Sequence, residues 1–318
     1  MPSDGKEGPR AAAAAPAVRY IEVTADEAGQ RIDNYLIARL KGVPKSRIYR
    51  ILRSGEVRIN MKRVDAAQRV AAGDRIRVPP VRVATREAPE PAPHFRLPLI
   101  FEDEDLLVID KPAGLAVHGG SGVAHGVIES LRAMRPQARF LELAHRLDRE
   151  TSGVLMVAKK RAALMRLNEM LRERAVDKRY LVGVSGRFRN AMQRVRLSLE
   201  RRVTREGERR VSVSDEGREA ETVFRLVERG PEYSLLEAEL LTGRTHQIRV
   251  HLAHLGHPVL GDDKYGDFAL NKALRKKGLK RMFLHAAKVT LEHPVTGKAL
   301  ELVAPLPGEL ERFREKMR

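Results

Sequence analysis

The chain has 318 residues, of which 42% are hydrophobic, so it can form a sizeable core and two domains. It contains no cysteine, which excludes disulfides, thiolate catalysis and cysteine-ligated zinc. Its 60 Lys and Arg residues exceed its 42 Asp and Glu residues, and the net charge of +18 favours a nucleic-acid partner over a membrane surface. Aromatic residues make up only 4%, so stacking on many single-stranded bases is not the expected binding mode.

Residues 1–18 are small and polar, and we predict that they form a disordered tail rather than a targeting segment. No apolar run approaches the roughly 18 residues that a membrane span needs. We therefore expect a cytoplasmic protein with no membrane partner.

The first folded block is predicted over residues 19–82. It contains two segments whose apolar residues share one helical face: Ile32, Tyr35, Leu36 and Leu40 in the first, and Ile48, Ile51 and Leu52 in the second. Ser46 is the expected N-cap of the second helix, and Gly55 is expected to end it. The alternating stretches EVRIN and GDRIRVPP predict strands.

The charge of this block is uneven, because residues 39–63 hold nine basic side chains and one acid, Glu56. Arg47 and Arg50 are three residues apart and share a helix face close to Lys45. We predict that these three side chains bind RNA phosphates, and an ordinary solvated face is the alternative. The pattern RIDNYL…SRIYRILRSGEVRIN resembles the S-four-like RNA-binding domain.

Residues 83–98 carry four prolines without periodicity, which predicts a linker. Strand and helix patterns then alternate over residues 99–318, and most of the strands read as hairpins, for example LIFEDEDLLVIDKP. RAALMRLNEMLRERAV and THQIRVHLAHLG have the spacing of helices. We predict an α+β fold with a mainly antiparallel mixed sheet for this domain.

The segment HRLDRETSG places Asp148 between Arg146 and Arg149 at the edge of a predicted core. Neighbouring cations keep a carboxylate ionised, and residues 151–153 are expected to make a tight turn that presents it to a cleft. Such a carboxylate can act as a nucleophile or a base. The alternative is an ordinary turn former or cap.

A second segment, LLTGRTHQIRVH, places Arg244 just before a predicted helix, where it can face a carboxylate or phosphate or simply form a surface cap. His246, His251 and His254 lack a metal-ligand spacing, so we predict no metal. The glycine-rich stretch HGGSGVAHG lacks the lysine and hydroxyl of a phosphate loop, so we predict no nucleotide cofactor.

Four stretches of this domain, taken in chain order, resemble the pseudouridine synthases that act on large-subunit ribosomal RNA. They are DKPAGLAVH, HRLDRETSGVLMVAKK, KRYLV and GRTHQIRVHLAHLGHPVLGDDKYG. The resemblance spans nearly all of residues 99–318. It implies that a uridine within RNA is isomerised: the bond from uracil to the ribose C1′ breaks, the base turns, and its C5 bonds to the same carbon. It further implies no cofactor, a monomer, and ribosomal RNA of the large subunit or its assembly precursor as partner.

The resemblance also assigns roles to four residues. Asp148 is the catalytic carboxylate, which either attacks C1′ or removes a ribose proton. Tyr180 packs on the uracil and assists proton removal, although a core tyrosine is the alternative from the residues alone. Arg244 pairs with the catalytic aspartate, and Arg146 enters the RNA in place of the flipped uridine.

Other functions remain open at this point. The chain could be an inactive RNA-binding factor for ribosome assembly, or a paralogous synthase for other uridines in ribosomal or transfer RNA. A metal-dependent nuclease built on Asp262, Asp263 and Glu102 is a third alternative, although these acids lack a ligand spacing.

Overall fold

The computed structural model describes residues 17–40, 42–81, 93–120, 123–203 and 209–317. The chain divides into two compact units between Glu90 and Pro91, inside the predicted linker 83–98. Most of that linker and of the predicted tail 1–18 lies outside the described residues. Within those ranges, no helix combines the length and the apolar character needed to cross a bilayer.

The N-terminal unit consists of two helices and a small antiparallel sheet of order β1-β4-β2-β3. Its elements in chain order are β1 (Arg19–Glu22), a 3-10 turn (Ala25–Glu27), α1 (Ile32–Arg39), α2 (Lys45–Arg53), β2 (Arg58–Ile59), β3 (Lys62–Arg63) and β4 (Arg75–Val78). Both predicted helices are confirmed, and the apolar residues named for their faces are buried.

The predicted N-cap of α2 is wrong. Pro44 occupies that position, and Ser46 lies inside the first turn of the helix. The ring of Pro44 fixes its φ near the helical value, at −57°, and the missing N–H is not needed at a helix start.

The C-terminal unit is built on a mixed sheet, and the predicted α+β class is confirmed. In the described residues the sheet runs β11-β10-β12-β13-β9-β14-β8-β6-β5, with β7 beside β8 and β15 beside β14. The pairing of β14 with β8 is parallel and the others are antiparallel. The strands are β5 (Leu99–Glu102), β6 (Leu106–Lys111), β7 (Glu142–Leu143), β8 (Ser152–Ala158), β9 (Asp177–Ser185), β10 (Met192–Val203), β11 (Arg209–Val213), β12 (Arg218–Arg229), β13 (Tyr233–Leu240), β14 (Leu284–Glu292) and β15 (Ala299–Val303).

Helices cover both faces of this sheet around β8, whose seven residues are all buried. Val154 and Met156 pack with α4, whereas Leu155 and Val157, pointing the other way, pack with α3 and α5. Two covered faces explain why this strand is continuously apolar rather than alternating. The helices are α3 (Val127–Met134), α4 (Arg161–Arg172), α5 (Gln247–His254), α6 (Phe268–Lys276) and α7 (Gly308–Glu315).

Candidate active site

A cavity of about 400 Å³ opens between the loop that precedes β8, strand β9 and the start of α5. Asp148, Tyr180, Arg244 and Arg146 all line it. The structure therefore brings together the four residues of this unit that the sequence singled out, although they lie on three separate segments. A volume of this size is typical of small-molecule sites and suits one nucleoside.

The loop carrying Asp148 connects β7 to β8. The Thr151 N–H donates to the Asp148 carbonyl at 3.1 Å, which closes the turn earlier than predicted. The expected turn over residues 151–153 is wrong, because β8 already begins at Ser152. Gly153 has a φ of +110°, and a Cβ there would lie 2.2 Å from the Ala286 carbonyl oxygen of β14. Only glycine lets these strands approach so closely directly behind the loop.

Two basic side chains hold the part of this loop that follows Asp148. The buried Lys111 Nζ donates to the carbonyls of Pro112, Leu115 and Arg149 at 2.9, 2.7 and 3.0 Å. Burial lowers the pKa of Lys111 to about 7. Arg281 donates to the Ser152 hydroxyl at 2.8 Å. The backbone around Asp148 is thus fixed by groups far away in sequence.

We expect Lys111→Met to lower the free energy of unfolding by about 3 kcal/mol, because three backbone carbonyls lose a buried charged donor. The turnover rate should also fall, since Arg149 is no longer tethered, while RNA affinity should change little. Chemical denaturation and single-turnover kinetics measure both effects. Lys160→Met is the control, because Lys160 is exposed and the loss of its ion pair with Asp105 should lower the free energy of unfolding by less than about 1 kcal/mol. Equal losses in the two variants would contradict a positioning role for Lys111.

The charged partner of Asp148 is Arg249 of α5, whose Nη1 donates to Asp148 Oδ2 at 3.0 Å. The predicted pair between Arg244 and Asp148 is not formed. Arg244 precedes the helix, is exposed, and donates through Nε to the Glu219 carbonyl at 3.1 Å. Arg149 does not approach Asp148 either, and donates to the Gly114 carbonyl at 2.9 Å.

Arg249 is held in turn by a second carboxylate. Its Nε and Nη2 each donate to Asp262 at 2.7 Å, a two-point contact that fixes the plane of the guanidinium. Burial opposes the charge on Arg249, but Asp262 and Asp148 outweigh it and raise its pKa above the ordinary value. Burial likewise opposes ionisation of Asp262, and the hydrogen bonds from Arg249 and the backbone bring its pKa below the usual range. The result is a permanent cation directed at Asp148.

His246 lies on the other side of Asp148, with its Nε2 3.8 Å from Asp148 Oδ1. Its backbone is left-handed, with a φ of 55°, at the residue that caps α5. The ring Nδ1 is 2.7 Å from the Tyr265 hydroxyl, and burial lowers the pKa of His246 to about 4. The imidazole is therefore neutral at neutral pH and contributes shape rather than charge. A left-handed backbone at a non-glycine residue is typical of functional sites.

Buried Gln247 organises the loop that carries Arg244. Its Oε1 accepts from the Arg244 N–H and the Thr242 hydroxyl, and its Nε2 donates to the Glu221 carbonyl and the Thr222 hydroxyl. The four contacts explain why this polar side chain is only 2% exposed. They also fix where α5 starts, and hence where Arg249 points.

The chain is similar to known proteins over most of its length. Residues 105–254 match the RNA pseudouridylate synthase model, and residues 30–76 match the S4 domain model. The chain is 50% identical over 311 residues to ribosomal large subunit pseudouridine synthase C of Escherichia coli O157:H7, with 95% of this chain and 98% of that protein covered. The chain belongs to the RNA pseudouridylate synthase family. The synthase of the same name from Yersinia pestis is 52% identical over 301 residues, covering 93% of this chain and 94% of its own.

Solved structures of the family give the same fold for this synthase. Human RNA pseudouridylate synthase domain containing 1 superimposes with a TM-score of 0.56 at 26% identity, covering 72% of this chain and 97% of its own. Human RNA pseudouridylate synthase domain containing 4 superimposes with a TM-score of 0.57 at 28% identity, covering 70% of this chain and 93% of its own. The family resemblance and the N-terminal RNA-binding module expected from the sequence are confirmed.

Tyr180 of the synthase projects from β9 into the cavity and is 8% exposed. Burial and, to a lesser degree, the negative charge of Asp148 raise the pKa of its phenol. The side chain therefore stays a neutral phenol at physiological pH. It can contact a base through its ring and offer a proton, but it does not begin the reaction as a phenolate base.

The acids proposed for a nuclease do not assemble into a metal site. Asp262 is bound to Arg249, Asp263 is exposed and paired with Arg275, and Glu102 is paired with Lys159. The described part of the chain does contain one group with metal-ligand spacing: Asp103, Asp105 and His293.

That group is accounted for by other contacts. His293 Nδ1 accepts the Thr296 N–H, which leaves the proton on Nε2, 2.9 Å from Asp103 Oδ2. Asp105 is paired with Lys160 at 3.0 Å. None of the three residues lines the catalytic cavity.

Proposed function

We propose that this synthase isomerises specific uridines in RNA of the large ribosomal subunit or of its assembly precursor. The observation that carries the proposal is the carboxylate of Asp148, held 3.0 Å from Arg249 in a cavity that Tyr180 also lines. The chain as a whole is half identical to a synthase named for that ribosomal subunit. An assembled site of this kind argues against an inactive assembly factor.

One carboxylate suffices for this reaction. Glycoside hydrolases normally need a second one to protonate a leaving group or activate water, whereas the departing uracil stays in the site and returns to the same carbon. Asp148 supplies the carboxylate, as a nucleophile at C1′ or as a base toward a ribose proton. Arg249 keeps it ionised and oriented, and the partly buried surroundings strengthen that electrostatic contact. Neutral Tyr180 offers its ring to the uracil.

Mapping of pseudouridines tests the proposal directly. Ribosomal RNA from cells with and without the gene should differ at a small set of large-subunit uridines, and the purified protein should release tritium from 5-labelled uridine in an unmodified transcript. Chelation of divalent metals should leave the rate unchanged. Loss of pseudouridine from transfer RNA or from the small subunit instead would favour a paralogous activity.

The N-terminal unit is proposed to supply affinity and placement rather than chemistry. Lys45 and Arg50 of α2 are exposed and Arg47 is partly exposed, so this helix can present cations to RNA phosphates. Residues 19–82 contain 15 basic and seven acidic side chains, a net charge of +8.

Deletion of residues 1–82 should therefore weaken RNA binding and flatten its salt dependence, because fewer counterions are released. The rate at saturating RNA should be nearly retained. Filter binding at several salt concentrations gives the slope of log affinity against log salt. An unchanged slope would rule out this role for the N-terminal unit.

Arg146 is exposed at the rim of the cavity, and with Arg249 serving Asp148 it is free for another task. A planar guanidinium can stack in the gap left by a flipped base and also hydrogen-bond the orphaned partner, which lysine cannot do. We expect Arg146→Lys to slow single turnover about tenfold or more on a structured RNA, since unstacking costs a few kcal/mol. The loss should be smaller when the target uridine is already unpaired. Equal losses on both RNAs would assign Arg146 to the chemistry instead.

The proposal also covers the state and place of action. The synthase is expected to act as a monomer in the cytoplasm, where its RNA is assembled into ribosomes, and to need no cofactor. Sedimentation of the purified protein measures its oligomeric state, and fractionation of cells measures where it is found. Turnover after exhaustive dialysis tests whether a cofactor is needed.

A further inference from the structure

A second cavity, of about 490 Å³, adjoins the catalytic cavity. The two share Arg146, Gly243, Arg244 and Thr245 in their walls, so the second cavity lies next to the one that Asp148 lines. The second cavity then extends over the sheet to Arg201 of β10 and Arg218 of β12. Four guanidinium groups therefore border one open space beside the reacting centre.

The sheet register explains why Arg201 and Arg218 face this space. Leu199 of β10 lies directly opposite Arg218 of β12, and Arg201 follows Leu199 by two residues. Residues two apart in a strand share a face, and so do directly opposite residues. Leu199 packs against Val250 of α5, so both arginines lie on the α5 face. Arg201 also donates a hydrogen bond to the Thr245 hydroxyl, in the loop just before α5.

Arg201 and Arg218 differ from most other arginines of β10 and β12. The neighbouring arginines are neutralised by carboxylates on the sheet: Arg194 by Glu221, Arg196 by Glu219, Arg202 by Glu200 and Arg225 by Glu239. Among the residues that the structure describes, no carboxylate lies within 4.0 Å of the side-chain nitrogens of Arg146, Arg201, Arg218 or Arg244. In the described residues, the arginines around this cavity thus lack the carboxylate partners that Arg194, Arg196, Arg202 and Arg225 have.

The acids that line the cavity do not restore the balance. Glu200 is one of them, and its carboxylate is engaged by Arg202 at 2.9 Å. Glu216 is the other acid, and its single negative charge is smaller than the combined positive charge of the four guanidinium groups. Clustered cations repel one another unless an anion neutralises them, and a guanidinium matches the oxygens of a phosphate with two parallel hydrogen bonds.

We propose that Arg201 and Arg218 form a phosphate subsite that holds the RNA backbone next to the flipped uridine. The subsite deepens the function proposed above and rests on it, because this cavity adjoins the one that Asp148 lines. Its ligand is a phosphodiester of the bound RNA, with Arg146 and Arg244 at the end nearest the reacting base.

The test compares Arg201→Gln/Arg218→Gln with wild type, using an unmodified transcript of large-subunit ribosomal RNA as the probe. Removal of two phosphate contacts should lower the slope of log Kd against log salt by about 1.5 to 2. It should raise KM for the transcript about tenfold, with kcat within about twofold, because neither side chain touches the reacting atoms. A merely structural role would not move the salt slope.

Two further variants make the result specific. Arg201→Lys/Arg218→Lys keeps both charges and should recover most of the slope. Arg196→Gln is the matched control, because Arg196 lies on β10 but on the opposite face and is paired with Glu219. Thermal melting of each variant checks that the fold is retained.

A slope unchanged in the glutamine variant, or lowered equally in Arg196→Gln, would overturn the subsite. Binding and turnover are measured separately, so the two proposals can fail independently. Suppose that the glutamine variant shows the expected change in slope, but that wild type forms no pseudouridine in the transcript. The proposed function is then wrong and the phosphate subsite is retained. If wild type is active and the slope does not change, only the subsite falls.

Discussion

Asp148→Asn should reduce pseudouridine formation by about a thousandfold or more and leave RNA affinity within about twofold. The change removes one negative charge and keeps the shape of the side chain, so the loop between β7 and β8 and its contact with Arg249 are retained. Neither attack at C1′ nor removal of a ribose proton is possible for a neutral amide. Tritium release from 5-labelled uridine measures the rate, and filter binding measures the affinity.

Asp263→Asn provides the control for this variant. Asp263 is an exposed aspartate next in sequence to the buried Asp262, and it is paired only with Arg275. The same substitution there should leave both rate and affinity unchanged. Activity of Asp148→Asn within tenfold of wild type would remove Asp148 from its catalytic role.

Arg249→Met should lower the free energy of unfolding by about 3 to 5 kcal/mol, because it leaves the buried carboxylate of Asp262 without its cation. Turnover should fall as well, since Asp148 loses the group that orients it. Arg244→Met is the matched control, as Arg244 is exposed and its side chain donates to one backbone carbonyl, that of Glu219. Arg244→Met should lower the free energy of unfolding by less than about 1 kcal/mol. Chemical denaturation of both variants shows which arginine neutralises Asp262, and their turnover rates at saturating RNA show which one orients Asp148.

The difference in the free energy of unfolding between wild type and Arg249→Met should depend on pH. In wild type the pKa of Asp262 lies below its ordinary value of 3.8, so its contribution to stability is present above about pH 4 and is lost as the pH falls through the lowered pKa. Without Arg249, burial raises the pKa of Asp262 above that value, and the variant loses stability as the pH rises through the raised pKa. The difference between wild type and Arg249→Met should therefore narrow from pH 7 toward pH 4. A constant difference over this range would contradict the proposed role of the pair.

Several features followed from local sequence patterns. The apolar periodicity predicted α1, α2, α4 and three hairpins of the mixed sheet, β5–β6, β12–β13 and β14–β15, because burial of one helical or strand face leaves its period in the chain. The charge asymmetry of residues 39–63 pointed to nucleic acid. Asp148 stood out because a carboxylate between two arginines is unusual at the edge of an apolar strand, and Arg146 and Tyr180 followed from the family motifs.

Other features depend on contacts between distant segments. Arg244 and Arg249 occupy one motif, and sequence does not tell which of them turns toward Asp148. The structure decides it, because Gln247 fixes the start of α5 and so directs Arg249 inward to a residue 101 positions away. Asp262 and Lys111 gain their roles in the same way, since a charged residue in an ordinary loop or strand carries no local sign of its buried partner. The local pattern of the chain thus predicted many of the elements, the type of partner and the candidate catalytic carboxylate, and only tertiary packing decided which cation is held against that carboxylate.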